Sequence, residues 1–365
     1  ESPIPTPNLN RLAEEGARLT NFYTASPTCT VSRACLLTGR IPERHGLTKQ
    51  LPGIEGNWGI GLPHGEKLIP EFLKAAPVAY ATGCFGKWNI GFAEGSRPTE
   101  RGFDEFFGHA SGNINYYTHN YNGKADLYRG TEPVNRQGEY ATDLFADAAI
   151  DFVKRKSAAG QPWFCYLPFN APHFPNPRNR PHGVPNEWQA PDRAFEAVGI
   201  SPDEQDPEKR YRAVVWALDE AIGRVLAALE RVGQAERTFV FFFSDNGAFR
   251  LNREGLDVGN NEPLRSGGVT CWEGGLRVVA MARWPGKIAP GSESGAITGT
   301  TDVLPTFVKL AGGEPKSSVT IDGVDIAPVL LGEADESERV AWHYFKGTRL
   351  KAVRSGPWKL AIESQ

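Results

Sequence analysis

The stretch "TFVFFFSDNG" (residues 238–247) joins an uninterrupted apolar run to an abrupt polar end. A continuous apolar run of this length is typical of a strand that is buried on both faces of a parallel sheet. The run "WFCYLPF" (163–169) has the same character, and helical patterns alternate with these runs, the longest over residues 211–232. The alternation predicts an α/β fold, with a large mixed, mostly parallel sheet sandwiched by helices.

The end of the chain has a different pattern. Residues 336–365 contain short alternating segments separated by glycines, which is typical of small antiparallel units. We therefore expect an α/β domain over residues 1–335 and the start of an antiparallel subdomain over residues 336–365. The subdomain is expected to be incomplete.

Composition excludes several classes of function. The chain has 365 residues and a net charge of −3, and no basic block indicates nucleic-acid binding. No apolar run approaches the ~20 residues that a membrane span requires. The five cysteines form no C-x-x-C pair, which argues against a zinc knuckle or a redox dithiol.

Polar residues follow the predicted strands, where α/β folds usually place their chemistry. Asp245 and Asn246 offer oxygens that calcium or magnesium prefers, although an Asp-Asn-Gly turn is the simpler explanation of this motif alone. Lys87 in "GKWNIG" is either an anion-binding charge or a surface lysine. His173 in "FNAPHFP" is either an acid or oxyanion donor or a solvated loop residue. The other histidines are interpreted as structural: His45, His64, His109, His119, His182 and His343.

The segment "SPTCTVSRACLLTGR" (26–40) predicts a helix that begins near Cys29 and ends at Gly39. A helix N-terminus favours a bound anion and lowers the pKa of a thiol. Arg33 lies one turn further on the same face, so the two side chains describe an oxyanion pocket. A thiol phosphatase loop fits the same residues, and Cys29 alone could also be a buried thiol, a disulfide partner or a metal ligand.

Taken together, these motifs resemble the sulfatase family. Its signature, C/S-x-P/A-x-R followed by T-G-R, is similar to Cys29-Thr30-Val31-Ser32-Arg33 and then Thr38-Gly39-Arg40. Further segments follow in the family's order: "GKWNIG", "RPTERGFDEFFG", "YLPFNAPHFP", "YRAVVWALDEAIGRVLAAL", "FFSDNG", "PLRSGGVTCWEGGLRV" and "TTDVLPTFVKLAG". The resemblance covers nearly the whole chain.

The resemblance implies hydrolysis of a small-molecule or carbohydrate sulfate ester. A separate maturation enzyme oxidises the signature cysteine to formylglycine, whose hydrate attacks sulfur. The implied catalytic residues are Cys29, Arg33, Lys87 and His173. The implied calcium ligands, with magnesium as the second choice, are Cys29, Asp245 and Asn246. The implied substrate-binding residues are Asn89, Ser111 and Arg265.

Three positions depart from the family's pattern. Asn89 replaces a histidine, Gly268 stands where a sulfate-binding lysine is usual, and Val31 replaces Pro or Ala in the signature. An Asp-Asp pair that binds metal in the family would precede residue 1. Together with the incomplete subdomain over residues 336–365, this predicts a chain that is truncated at both ends. The alternatives are a catalytically impaired relative and a phosphate or phosphonate ester hydrolase. Members of the family are usually periplasmic or secreted, which predicts the same location here. The absence of an N-x-S/T sequon favours a bacterial source.

Overall fold

A computed structural model describes residues 4–53, 59–175, 188–250 and 256–362. In this part of the chain the α-helices are α1 (Pro7–Glu14), α2 (Cys29–Thr38), α3 (Pro42–His45), α4 (Ile69–Lys74), α5 (Ala141–Ala158), α6 (Asp192–Ala197), α7 (Pro207–Arg231), α8 (Glu273–Leu276), α9 (Val303–Leu310) and α10 (Ala327–Leu330). The strands are β1 (Ala17–Leu19), β2 (Phe22–Tyr23), β3 (Ala81–Lys87), β4 (Glu105–His109), β5 (Asn120–Tyr121), β6 (Lys124–Ala125), β7 (Tyr128–Arg129), β8 (Glu132–Pro133), β9 (Trp163–Tyr166), β10 (Val240–Phe243), β11 (Ala280–Arg283), β12 (Ser292–Ser294), β13 (Thr298–Gly299), β14 (Trp342–Lys346), β15 (Arg349–Ser355) and β16 (Trp358–Ala361).

Two mixed sheets form the centre of the described structure. The first has the order β8-β7-β4-β3-β9, in which β4, β3 and β9 run parallel and β7 and β8 are antiparallel additions. The second has the order β10-β11-β1-β12, with one parallel pair, β1 and β12. This architecture confirms the predicted α/β class.

Helices cover both faces of these sheets. Helices α2, α4 and α9 contribute to one apolar cluster, whereas α5 and α7 contribute to a second. Alternation along β9 and β10 divides their side chains between the clusters, so that Phe164 and Phe241 meet the first and Trp163 and Phe242 the second. The helices on both faces of mixed sheets are as predicted, whereas the described strands form two sheets with several antiparallel pairs in place of one large, mostly parallel sheet.

The apolar strands β9 and β10 are less buried than their sequences indicate. Every residue of both strands is only partly buried. Each strand ends the order of its own sheet, and the described residues contain no hydrogen-bonded ladder between them. The ring of Phe307 lies 6.0 Å from that of Phe164 and 6.5 Å from that of Phe241, so α9 underlies both edges. Burial on both faces of a strand therefore does not follow from its sequence alone.

The predicted antiparallel strands of the tail are present as the sheet β14-β15-β16. Glu273 on α8 connects this sheet to the α/β unit, because its carboxylate accepts hydrogen bonds from Tyr23 (2.7 Å), Tyr344 (2.8 Å) and Lys359 (3.0 Å). Trp342 stacks on Tyr23 with ring centroids 5.7 Å apart. The domain boundary at residue 335 stays a prediction.

Several helix ends have the expected local causes. Gly39 ends α2 with a φ of 68°, a left-handed conformation that glycine adopts without a steric penalty. The long helix α7 begins four residues earlier than predicted, because the Asp206 side chain accepts hydrogen bonds from the backbone N–H groups of Glu208 and Lys209. Within the described residues, no helix combines the length and the apolar character needed to cross a membrane.

Candidate active site

The carboxyl ends of neighbouring strands converge on one group of polar side chains. Lys87 is the last residue of β3 and His109 the last residue of β4, and the two are register partners. Asp245 and Asn246 follow β10, and His173 lies in the loop after β9. The structure therefore places the predicted polar residues at one edge of the sheets, as α/β folds do with their functional groups.

Cys29 lies at the first position of α2 and is 6% exposed. Its thiol donates to the Asn246 side-chain oxygen at 3.4 Å. All five cysteines are free, so Cys29 has no disulfide partner. The helix N-terminus adds a positive electrostatic contribution at this position.

Arg33 organises the site through contacts with protein groups. Its Nε and Nη2 donate to the same oxygen of Asp245 at 3.0 and 2.7 Å. Its Nη1 donates to the Lys87 carbonyl at 2.9 Å and to the Tyr166 hydroxyl at 3.2 Å. Because each of its three nitrogens donates to a protein group, Arg33 holds the Asp245 carboxylate, the Lys87 backbone and the Tyr166 hydroxyl in place.

The charges of Arg33, Lys87 and Asp245 compensate one another only in part. Burial would raise the pKa of Asp245, but attraction to Arg33 and to Lys87, whose Nζ lies 3.8 Å away, lowers that pKa to about 2. Two cations therefore face one carboxylate, which leaves one positive charge in excess. A buried cationic excess at a helix N-terminus favours an anionic ligand.

His173 is a neutral imidazole in this environment. Burial, with repulsion from Lys87, lowers the pKa of His173 to about 4. Its Nδ1 lies 2.7 Å from the carbonyl oxygen of Phe174, which can only accept, so Nδ1 carries the proton. The other nitrogen, Nε2, is then an acceptor.

The three predicted substrate-binding residues differ in how far they are buried. Asn89 is fully buried, and neither polar atom of its side chain has a hydrogen-bond partner among the described residues. Ser111 is also fully buried, and its backbone N–H donates to Asp126. Arg265 is exposed and lies over the Trp272 ring at 3.6 Å from its centroid.

Gly268 packs tightly against the loop that follows β10. A Cβ at this position would lie 2.6 Å from the Gly247 carbonyl oxygen and 2.8 Å from the Phe249 ring. A side chain at residue 268 therefore requires movement of the neighbouring backbone. The chain supplies no side-chain cation from this position.

The oxygen atoms that the described residues offer are too few to complete the coordination of the implied calcium ion. Calcium takes about 6–8 oxygen ligands. Asp245 and Asn246 each offer a side-chain oxygen, and the second oxygen of Asp245 already accepts from Arg33. No group of three or more His, Cys, Asp or Glu side chains in the described segments could hold a metal.

His109 is the site residue that the sequence interpretation missed. It was interpreted as structural, yet it is fully buried next to Lys87 and neither ring nitrogen has a hydrogen-bond partner in the described structure. Its position at the end of a predicted strand was the available signal. His182, also interpreted as structural, lies outside the described residues.

The fold and the site define an α/β protein with a buried cluster of charged side chains at the strand ends, beside a cysteine at a helix N-terminus. A family model described as Sulfatase matches residues 1–313. The chain belongs to the sulfatase family.

Relatives and solved structures agree with this assignment. N-acetylgalactosamine-6-sulfatase of Mus musculus is 34% identical over 370 residues, which cover 97% of this chain and 66% of that protein. Arylsulfatase G of Homo sapiens is 30% identical over 376 residues, which cover 93% of this chain and 66% of that protein. The chain thus spans less than two thirds of these relatives.

Two crystal structures match almost the entire chain. Ps i-CgsB in complex with k-i-k-neocarrahexaose has a TM-score of 0.83 at 29% identity, covering 99% of this chain and 79% of that chain. PsFucS1 sulfatase from Pseudoalteromonas sp. has a TM-score of 0.79 at 27% identity, covering 98% of this chain and 73% of that chain. The architecture described above is therefore that of solved sulfatases, which are alkaline-phosphatase-like in fold.

Proposed function

We propose that the protein hydrolyses sulfate esters of carbohydrates, with residue 29 as the nucleophile after conversion of Cys29 to formylglycine. The observation that carries the proposal is the position of Cys29 at the start of α2, beside Asn246 and the Arg33–Asp245 pair. A nucleophile placed there attacks an anion that the neighbouring cations attract.

The proposed reaction has two displacement steps. One hydroxyl of the hydrated aldehyde attacks sulfur, the sulfur–oxygen bond to the alcohol breaks, and the alcohol leaves with the proton that the attacking hydroxyl gives up. The second hydroxyl then passes its proton to a base, the carbon–oxygen bond to sulfate breaks, and sulfate leaves as the aldehyde forms. Addition of one water molecule to the aldehyde restores the hydrate, so residue 29 is unchanged after each turnover.

The side chains have separate roles in this scheme. Arg33 holds the Asp245 carboxylate and the Lys87 backbone in place, and Lys87 supplies positive charge to the sulfate oxygens. His173 in its neutral form has a free Nε2, which suits acceptance of a proton from a hydroxyl. Asn89 supplies amide hydrogen bonds and no proton transfer.

Carbohydrate sulfates are the proposed substrate class because of what the relatives act on. One relative is named for N-acetylgalactosamine 6-sulfate, and one solved structure contains k-i-k-neocarrahexaose. Both matches cover at least 97% of this chain.

Mass spectrometry tests the nucleophile directly. Trypsin separates the peptide 19–33, which contains Cys29, from the peptide 34–40, which contains Cys35. After co-expression with a maturation enzyme, we expect an aldehyde in the first peptide and an intact thiol in the second. A thiol in both peptides, under conditions that convert a known sulfatase, overturns the proposed nucleophile.

Parallel assays with aryl sulfate and aryl phosphate esters test the reaction class. Hydrolysis of the sulfate alone, lost in Cys29→Ala, is the expected result. Hydrolysis of the phosphate alone supports the alternative substrate class. Conversion to the aldehyde without hydrolysis of either ester supports a catalytically impaired relative, for which the unpartnered Asn89 and the blocked position 268 are the motivating observations.

No step of the proposal passes through a metal ion. Calcium ligation by Asp245 and Asn246, with magnesium as second choice, stays a prediction. Calorimetric titration of the protein with calcium and then with magnesium, repeated on Asp245→Asn, measures it. Heat of binding that disappears in the variant is the expected result, and identical titrations would remove Asp245 from the ligand set.

A further inference from the structure

Two fully buried polar side chains beside Lys87 have no hydrogen-bond partners. Within the described residues, both polar atoms of the Asn89 side chain and both ring nitrogens of His109 are unpartnered. Leaving a buried polar group unpaired costs about 1–3 kcal/mol, so folded proteins contain few such groups. The two side chains therefore require a polar ligand or ordered water.

Sheet register places His109 against the cationic site. His109 pairs with Lys87 across the parallel strands β3 and β4, and the Trp88 N–H donates to the His109 carbonyl at 2.9 Å. Partners in register direct their side chains to the same face of a sheet. The ring also stacks on Phe145, with centroids 6.0 Å apart, which fixes its orientation.

Asn89 approaches the same region from the turn after β3. Its φ of 56° is left-handed, a conformation that asparagine tolerates better than most residues. A Cβ on Gly112, three residues after His109, would lie 3.7 Å from the Asn89 side-chain oxygen. The turn after β4 therefore packs against Asn89, so the Asn89 side chain lies close to the segment that follows His109.

A carboxylate holds this turn in place. Asp126 accepts hydrogen bonds from the backbone N–H groups of Ala110 and Ser111 at 3.1 and 3.0 Å. Burial raises the pKa of Asp126 to about 7, although these N–H groups act in the opposite direction. The segment that carries His109 is therefore anchored immediately after the histidine.

His109 offers a neutral donor in addition to the Asn89 amide and the Ser111 hydroxyl, which are also buried and unpartnered within the described residues. Burial lowers the pKa of His109 well below its usual value, Lys87 and Arg33 lower it further, and the Ser111 backbone opposes the shift. The neutral ring carries one N–H. The Arg33 nitrogens donate to protein groups, and the His173 N–H donates to the Phe174 carbonyl. An anion beside Lys87 therefore needs hydrogen bonds from further neutral donors.

We propose that His109 is a ligand-contacting residue that donates its ring N–H to an oxygen of the anion held at Lys87, with the Asn89 amide donating beside it. The inference rests on the proposed function, since the anion is the sulfate group of the substrate or the product sulfate. It assigns recognition of the anion to β4 as well as to β3 and the loops after β9 and β10.

The test compares His109→Phe, which keeps a ring against Phe145, with His109→Gln, which keeps an N–H donor. Calorimetry with inorganic sulfate is expected to show about tenfold weaker binding to His109→Phe, which corresponds to roughly 1.4 kcal/mol. His109→Gln is expected to recover part of the affinity, and KM for an aryl sulfate to follow the same order. The control is His119→Phe, a buried histidine whose ring contacts the Glu139 carbonyl.

A folding defect is separated from a binding defect by NMR of the unmutated protein. One ring nitrogen of His109 is expected to change its chemical shift when sulfate is added. An unshifted ring at saturating sulfate, or wild-type sulfate affinity in folded His109→Phe, overturns the inference. The same titration with inorganic phosphate separates the two proposals: His109-dependent binding of phosphate without sulfate binding contradicts the sulfatase function and leaves the role of His109 intact.

Discussion

Arg33 and Asp245 form a pair in which two guanidinium nitrogens donate to one carboxylate oxygen, at 3.0 and 2.7 Å. The pair connects helix α2 to the end of strand β10, across 212 residues of sequence. The Arg33 side chain is 6% exposed and that of Asp245 is 25% exposed, so solvent screens the pair only weakly. This contact holds the start of helix α2 against the end of strand β10.

Removal of Arg33 should destabilise the fold as well as the site. Arg33→Ala removes two charge-assisted hydrogen bonds to Asp245, and hydrogen bonds to charged groups contribute about 1.5–3 kcal/mol each, so we expect a loss of about 3 kcal/mol. Urea denaturation is expected to show this loss. Arg18→Ala removes an arginine from an exposed pair with Glu293 and should cost less than about 1 kcal/mol. Equal losses in the two variants would mean that the Arg33–Asp245 pair is no stronger than a surface pair.

Replacement of Val269, which lies next to the site, by glycine should stabilise the fold. It has a φ of 63°, which is unfavourable for a β-branched side chain. Val269→Gly is expected to raise the free energy of unfolding by about 1 kcal/mol, because the strain is removed. Thermal denaturation measures the effect. The control is Val340→Gly, at an exposed residue without a positive φ, where the same change should be neutral or destabilising.

Glu273 should determine how firmly the tail sheet is attached. Glu273→Gln weakens the hydrogen bonds from Tyr23, Tyr344 and Lys359, with an expected loss of about 2 kcal/mol. In this variant, amide hydrogen exchange is expected to become faster in β14–β16, with a smaller change in β3. Glu293→Gln, in an exposed ion pair, is the matched control. Unchanged protection of the tail in Glu273→Gln would show that apolar packing alone attaches it.

Acid should destabilise the protein through His45. Burial, with repulsion from Arg40, lowers the pKa of His45 from 6.5 to about 4. Between these values the unfolded chain binds a proton that the native state does not, so stability falls as pH decreases from 6.5 to 4, by roughly 3 kcal/mol from this residue. His45→Gln should flatten the pH dependence of the unfolding free energy by that amount. Above pH 7 the difference between variant and wild type should be constant, and a parallel offset at all pH values would contradict the prediction.

Helix and strand positions were largely predictable because they depend on local patterns. The helix that starts at Cys29 and ends at Gly39, and the amphipathic stripe of α7, follow from capping residues and from 3.6-residue periodicity. The α/β class follows from the alternation of these helices with apolar strands. The degree of burial of β9 and β10 was not predictable, because it depends on which strands become neighbours in a sheet.

The candidate site was predictable only in part. Asp245, Lys87 and His173 follow apolar strands, which marks them locally. His109 also ends a strand, but the proposal for it depends on the register that pairs it with Lys87 and on the lack of a hydrogen-bond partner within the described residues. The proton on Nδ1 of His173 depends on the Phe174 carbonyl, whose orientation only the folded loop defines.

The sequence by itself determined the family, the α/β class and the residue types at the strand ends, because these depend on short motifs and periodicity. Tertiary structure alone decided that Arg33 binds protein groups, that Arg265 lies on Trp272, and that His109 is the register partner of Lys87. Those outcomes depend on contacts between segments that are distant in sequence. Their distances and burial arise only when the strands take their register and the helices pack against them.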